Sequence, residues 1–296
     1  MKILITGASG LIGRDLTKIL SKKYKVVAIY KSKSFKKIKN VIWVKIDFTK
    51  KKNLKIPKFN FSLIINCAID QKYKDKNFSK YKETNLNLIN NLLNYVLKNN
   101  VNLFLNLSSI DVYGEVNKKI LIESYRPRKV NAYGKIKSLC EKKIERKKIN
   151  YLNLRLPGVL CDPSLNNLER TWLNSVFENF LKKKKIKIHN INNYFNNLTT
   201  TDEIARFIDF LIKKKISTKG TFNFACTKPI KLKDLIYSSK KIMNSSSKIE
   251  IIKTTKKKSF EISTKKLRKR FQFSTKPTKV IVEKYLKNLI HEKRNA

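Results

Sequence analysis

Tyr133 and Lys137 in NAYGKIKSLCE (131–141) stand four positions apart, so a helix that carries them puts both on one face. An ammonium held beside a phenol favours the phenolate, which suits such a pair to general acid/base work near neutrality. Upstream, LSSIDVYGE (107–115) ends an apolar run on Ser108 and Ser109 and continues through Val112, Tyr113 and Gly114. In a chain with 68 Lys+Arg a Y-x-x-x-K match alone is weak. The set carries the signal: a serine closing a strand, then V-Y-G, then the tyrosine and lysine. A second cluster lies at the other end of this region. Three of only seven glycines fall in ITGASGLIG (5–13), at Gly7, Gly10 and Gly13. Glycine is needed where φ is positive or where backbone must approach a ligand without a Cβ in the way. The cluster follows a strand and opens a helix, whose unpaired N–H groups favour negative charge, so a dinucleotide pyrophosphate is the expected occupant.

These groups need a scaffold, and the first half of the chain alternates apolar runs with segments of helical spacing, as β-α-β units do. The strand candidates are 2–6, 25–30, 41–47, 62–68, 102–109 and 151–156. Leu11, Leu16 and Leu20 fall on one helical face, as do Leu86, Ile89, Leu93 and Val96. Near-continuous apolar strands predict a parallel sheet covered on both faces. Beyond residue 157 the pattern changes to separated helices (166–185 and 201–215, the second with Thr201 as N-cap) and short strands (185–189 and 220–225). We expect a nucleotide-binding domain over 1–157 and a smaller substrate-binding region over 158–296.

The T-G-x-x-G-x-x-G spacing, Ser109, V-Y-G and Y-x-x-x-K together resemble the extended short-chain dehydrogenase/reductases, the NAD-dependent epimerase/dehydratase family. INCA (65–68), Asn85, LRLPGVLCDPS (154–164), LTTTDEIA (198–205, with Asp202) and 261–277 extend the match along nearly the whole chain. The resemblance implies an α/β Rossmann-type doubly wound parallel sheet with a smaller C-terminal α+β region. It implies that Ser109 binds the substrate oxygen, that Tyr133 is the general acid/base and that Lys137 binds the nicotinamide ribose and tunes Tyr133. Ser108 and Tyr113 are expected beside the substrate. Candidate cofactor contacts are Gly7, Ser9, Gly10, Leu11, Ile12 and Gly13 around the pyrophosphate. Tyr30 and Lys31 follow at the end of the second strand, Asp47 and Phe48 at the adenine, Cys67 and Ala68 beneath the cofactor, and Pro157 near the nicotinamide, with Tyr133 and Lys137 touching it too.

At the end of the second strand an acid would meet the ribose hydroxyls of NAD and a base the 2′-phosphate of NADP. Tyr30, Lys31, Ser32 and Lys33 lean toward NADP. The implied substrate is a sugar, nucleotide-linked as in many family members, used in saccharide or cell-surface polysaccharide biosynthesis. Asn196 and Asn197 stand where such members place a phosphate-binding arginine. Arg126, Arg128, Arg155 and Arg170 are the remaining candidates for anion contact. The Asp-Glu pair that dehydratases carry after the catalytic serine is replaced by Ile110 and Asp111, which disfavours dehydration. Compact length and the NADP lean tilt toward a reductase of 4-keto deoxysugars, and a 4-epimerase shares the same triad. A catalytically idle NAD(P)-binding regulator on the same fold is the alternative. The family's mode of dimerisation would use helices 82–98 and 131–147.

The formal charge of +47 would ordinarily suggest nucleic acid. Here the lysines are spread over every segment and no basic run interleaves with aromatics, so the charge reads as compositional drift, and a nucleic-acid-binding protein is the remote alternative. Cys67, Cys140, Cys161 and Cys226 form no C-x-x-C pair, which argues for neither zinc nor a disulfide framework. With a strand opening at Lys2 and no apolar stretch near ~18 residues, a soluble cytoplasmic protein with no membrane partner is expected.

Overall fold

The apolar runs of the first 110 residues become five strands: β1 (Lys2–Thr6), β2 (Lys25–Tyr30), β3 (Ile42–Lys45), β4 (Phe61–Asn66) and β5 (Leu103–Ser109). A computed structural model describes residues 1–31, 37–50, 60–165, 171–252 and 259–294. With the strands Tyr151–Leu156 and Lys219–Asn223 they form a seven-stranded parallel sheet. Its order is Lys219–Asn223, Tyr151–Leu156, β5, β4, β1, β2, β3. Ile3, Leu4 and Ile5 have no exposed surface, as central parallel strands require. The chain runs outward from β1 through β2 to β3 and then returns to the other side of β1 as β4. The carboxyl ends of β1 and β4 therefore flank the switch point where doubly wound sheets bind ligands. Helices α1 (Leu11–Leu20), α2 (Phe78–Lys98) and α3 (Ala132–Glu145) connect these strands. Asn77 caps α2 by accepting from Lys80 N, and Asn131 caps α3 by accepting from Gly134 N.

A row of polar side chains crosses the apolar sheet. Thr6 Oγ1 donates to Asn66 Oδ1 (2.7 Å) and Asn66 Nδ2 to Asn106 Oδ1 (2.9 Å). Asn106 Nδ2 donates to Asn153 Oδ1 (2.9 Å), Asn153 Nδ2 to Thr221 Oγ1 (3.1 Å), and Thr221 Oγ1 to Glu145 (3.0 Å). The parallel register supplies the contacts, pairing Thr6 with Asn66 and Asn66 with Asn106.

The chain forms two compact units interleaved in sequence. The first comprises Met1–Gly114, Pro127–Arg155 and Ile204–Phe222; the second comprises Glu115–Arg126, Leu156–Glu203 and Asn223–Ala296. In the second unit the helix Trp172–Leu181, capped by Thr171, buries Leu173, Phe177 and Phe180 against Ile186, Ile188 and Leu286. Strand Ile186–His189 pairs in parallel with Ile249–Ile252, and Leu198–Thr200 with Gly158–Leu160. The part of the expected helix at 166–170 lies outside the described residues. Thr201 is not a cap: the helix Thr201–Lys213 starts on it, and Thr200 Oγ1 accepts the Glu203 N–H one position earlier.

Candidate functional site

The three glycines after β1 are glycines for different reasons. Gly7 has φ +64°, and a Cβ there would lie 2.8 Å from the Ala68 backbone, so β1 and the end of β4 could not close together. A Cβ on Gly13 would lie 2.3 Å from the Gly7 carbonyl, so α1 could not fold back on the turn. Gly10 differs, because a Cβ there would meet only the Gly7 carbonyl at 3.2 Å and otherwise open space. Gly10 is also the N-cap of α1, which has no capping side chain and no acid in its first turn. Ser9, Leu11 and Ile12 are half-buried around it, and Arg14 Nε, one turn in, is buried without a partner. Unpaired N–H groups and an uncompensated helix dipole meet at the Gly10 end of α1.

Tyr133 and Lys137 both lie on α3, and Ser109 ends β5. Lys137 is buried, donates to the Leu107 carbonyl at 2.7 Å and has its ammonium 5.7 Å from the Tyr133 ring centre. Lys74 holds a second ammonium at the same 5.7 Å from that ring. No motif marks Lys74, which comes from the loop between β4 and α2. Gly134 lets α3 pack onto the turn that follows Ser109, since a Cβ there would meet the Asp111 carbonyl at 2.1 Å. Ser109 Oγ accepts the Asp111 N–H at 3.1 Å, which leaves its own proton available. Burial pushes the Asp111 carboxyl above its ordinary range, with the Lys74 charge opposing. At the end of β4, burial pushes the Cys67 thiol up to about 12 against the pull of the Lys137 ammonium.

Ser108 and Tyr113 are both buried. Successive strand residues face opposite sides, and Ser108 Oγ donates to the buried Glu141 carboxylate at 2.5 Å. Arg155 clamps that carboxylate through Nη2 at 2.7 Å and Nε at 3.1 Å, and its guanidinium covers the ring of the fully buried Tyr113 at 4.7 Å. Arg155 thus holds the Glu141 carboxylate in a buried network that also takes in Ser108 and Tyr113. Arg126 and Arg128 are exposed, and Arg170, like Ser32 and Lys33, lies outside the described residues.

At the other end of the sheet, Lys31 is ion-paired with Asp70 at 2.7 Å and with Asp47 at 3.3 Å. Asp47 Oδ1 accepts both N–H and Oγ1–H of Thr49, so it also caps the turn after β3. Asn85 is buried and holds Asp70 in place, accepting from its N–H and donating to its carbonyl, both at 2.9 Å. Tyr30 packs edge-on to Trp43, and the Phe48 side chain is in the core, so only its backbone is available to a ligand. The basis for the NADP lean weakens accordingly, because Lys31 is already ion-paired with two carboxylates.

A family model described as the NAD dependent epimerase/dehydratase family matches residues 3–225. The chain belongs to this family. The Bordetella bronchiseptica enzyme WbmG, solved with NAD and UDP, has a similar fold, with TM-score 0.79, 14% identity, and 99% of this chain and 94% of that one covered. The UDP-glucose 4-epimerase of Thermotoga maritima, solved with UDP-glucose, gives TM-score 0.76 at 18% identity, covering 100% and 99%. The UDP-Glc/GlcNAc 4-epimerase of Campylobacter jejuni gives 0.74 at 18%, again covering 100% and 99%. No curated protein sequence matches the chain.

In this epimerase/dehydratase-family chain the second unit holds Pro157, buried between two strands, and Asp202, ion-paired with Lys284. Asn196 forms a structural joint: its amide donates to the Cys226 and Ile262 carbonyls and accepts the Ile262 N–H. Next to it, Asn197 Oδ1 and Thr199 Oγ1 are buried without partners. Among the described residues no His, Cys, Asp and Glu group is placed to hold a metal, and no helix is long and apolar enough to cross a membrane.

Proposed function

We propose that this protein is an NAD(P)-dependent epimerase of a nucleotide-linked sugar, with Ser109, Tyr133 and Lys137 as its catalytic residues. The observation that carries the reading is the buried Lys137 ammonium, fixed to β5 through Leu107 and held beside the Tyr133 ring. The turn fits a dinucleotide: Gly10 opens onto space, α1 is uncapped and Arg14 Nε is unmatched. Gly7–Gly13 would hold the pyrophosphate; Tyr30, Lys31, Asp47 and the Phe48 backbone would hold the adenosine. Cys67, Ala68 and Lys137 would hold the nicotinamide part. When bound, the nicotinamide supplies hydride acceptance and return. Tyr133 exchanges the proton on the sugar oxygen, and Ser109, already accepting from Asp111, donates its own proton to that oxygen. Two ammoniums flanking the phenol place positive charge where a phenolate forms.

The reductase tilt of the sequence rests on compact length and the NADP lean, and the pairing of Lys31 with Asp70 and Asp47 weakens the second of these. An activated sugar of this kind feeds saccharide or cell-surface polysaccharide assembly. Calorimetric titration with NADH and NADPH, then NMR of a UDP-sugar panel, tests the reading. The expected result is cofactor binding and inversion of one sugar carbon with no net change in cofactor redox state. Absence of binding below millimolar cofactor overturns it.

A further inference from the structure

Lys31 is one residue past the end of β2 and Asp70 four past the end of β4, and in the sheet β1 lies between those two strands. The 2.7 Å contact between them therefore passes over the carboxyl end of β1, where the glycine turn begins. We propose that Asp70 is the residue that sets cofactor specificity, by holding Lys31 away from a 2′-phosphate and, with Asp47, outweighing its charge. This rests on the nicotinamide-cofactor reading above.

Each partner is positioned before any ligand arrives. The Asp70 backbone is pinned on both sides by Asn85, its Oδ1 accepts the Lys72 N–H at 2.9 Å, and only Oδ2 faces Lys31. Asp47 Oδ1 is held by Thr49, so its Oδ2 completes the clamp at 3.3 Å. The Asp70 side chain is only 10% exposed, whereas that of Lys31 is 43% exposed, so the carboxylate is the fixed element and the ammonium the adaptable one. Both carboxylates push the Lys31 ammonium above its ordinary range, against burial, so it stays charged. Two carboxylates and one ammonium sum to a single negative charge. Ribose hydroxyls can donate to the carboxylates' remaining lone pairs, whereas a 2′-phosphate adds like charge and finds the Lys31 ammonium already paired.

The test is titration of NADH and NADPH into the intact protein and into Asp70→Asn, Lys31→Met and the double variant, with melting temperature read alongside. The wild type is expected to favour NADH, and D70N to shift the NADPH-to-NADH affinity ratio toward NADPH by about tenfold or more, the scale of one lost charge contact. K31M leaves two uncompensated carboxylates and shifts the ratio the opposite way, and the double variant loses the gain of D70N. K31M keeps the proposal falsifiable should D70N fail to fold. A wild type that favours NADPH, or ratios unmoved by both single variants while NADH still binds, overturns the proposal and leaves the cofactor reading standing. Binding of neither cofactor to the wild type overturns both.

Discussion

Lys137 donates to the carbonyl of Leu107, two positions before Ser109 on the same strand. One hydrogen bond thus ties the helix of the acid/base candidate to the strand of the oxygen-binding candidate. Lys137→Met leaves a buried carbonyl without its donor, at about 1–3 kcal/mol. The melting temperature is expected to drop by several degrees along with most of the turnover. Unchanged thermal stability in calorimetry would separate the ammonium from this joint.

Tyr133→Phe keeps the ring that Lys74 and Lys137 flank and removes the hydroxyl with its exchangeable proton. Turnover is expected to fall by about 10²–10⁴ while NADH affinity stays within a few-fold. Steady-state rates and titration on the same preparation measure both. Retained turnover takes Tyr133 out of the chemistry.

Gly10→Ala and Gly13→Ala should fail in different ways. The Gly13 methyl meets the Gly7 carbonyl at 2.3 Å, so that variant loses stability with or without cofactor. The Gly10 methyl meets that carbonyl at 3.2 Å and otherwise protrudes into space, so that variant keeps its fold and loses cofactor affinity. Melting curves recorded with and without NADH tell the two apart.

Glu141 is buried with Arg155 on one side and Ser108 on the other. Removing either charge alone strands its partner, and Glu141→Ala or Arg155→Ala is expected to cost about 3–5 kcal/mol. The double variant should cost clearly less than the sum. A urea-denaturation cycle measures this, and additive losses would mean that the clamp is not a unit.

Asp209 accepts from the Tyr24 hydroxyl at 2.7 Å and pairs with Lys213 at 2.9 Å. Burial alone would raise its carboxyl, but hydrogen bonds from Tyr24 and Lys213 and the nearby lysine charges hold it below the ordinary range. Its stabilising contribution is therefore present above about pH 4 and lost as pH falls through the lowered folded value. Tyr24 is pushed up to about 12, first by burial and then by Asp209. That contribution is present below about pH 10 and lost as pH rises from there through the folded value. Asp209→Asn should flatten the acid limb of the stability profile and Tyr24→Phe the alkaline limb, as read by denaturation at each pH.

The strands were legible because an apolar run flanked by charge has one reading: 2–6 and 25–30 match β1 and β2 to the residue. The glycine turn and α3 were legible because backbone constraints leave a mark at fixed spacing. Partners were not. Nothing local distinguishes Ser108 from Ser109, since their fates follow from which sheet face carries Glu141. Lys31 read as available because Asp70 lies 39 positions away, and only the β4-β1-β2 order brings the two together. Asn196 read as a missing arginine, while its carbonyl partners, Cys226 and Ile262, lie 30 and 66 positions away in the chain.

In the row from Thr6 to Glu145 every proton is given in the same direction. It ends on a carboxylate, which has none to return, so each amide before it has a single orientation that suits both neighbours. The row thereby discriminates among sheets. Any other strand order would bury asparagines beside hydrocarbon at about 1–3 kcal/mol for each group left unmatched. Its effect lies less in strengthening the native sheet than in penalising every wrong one, a check on strand order carried by side chains that an apolar core would lack.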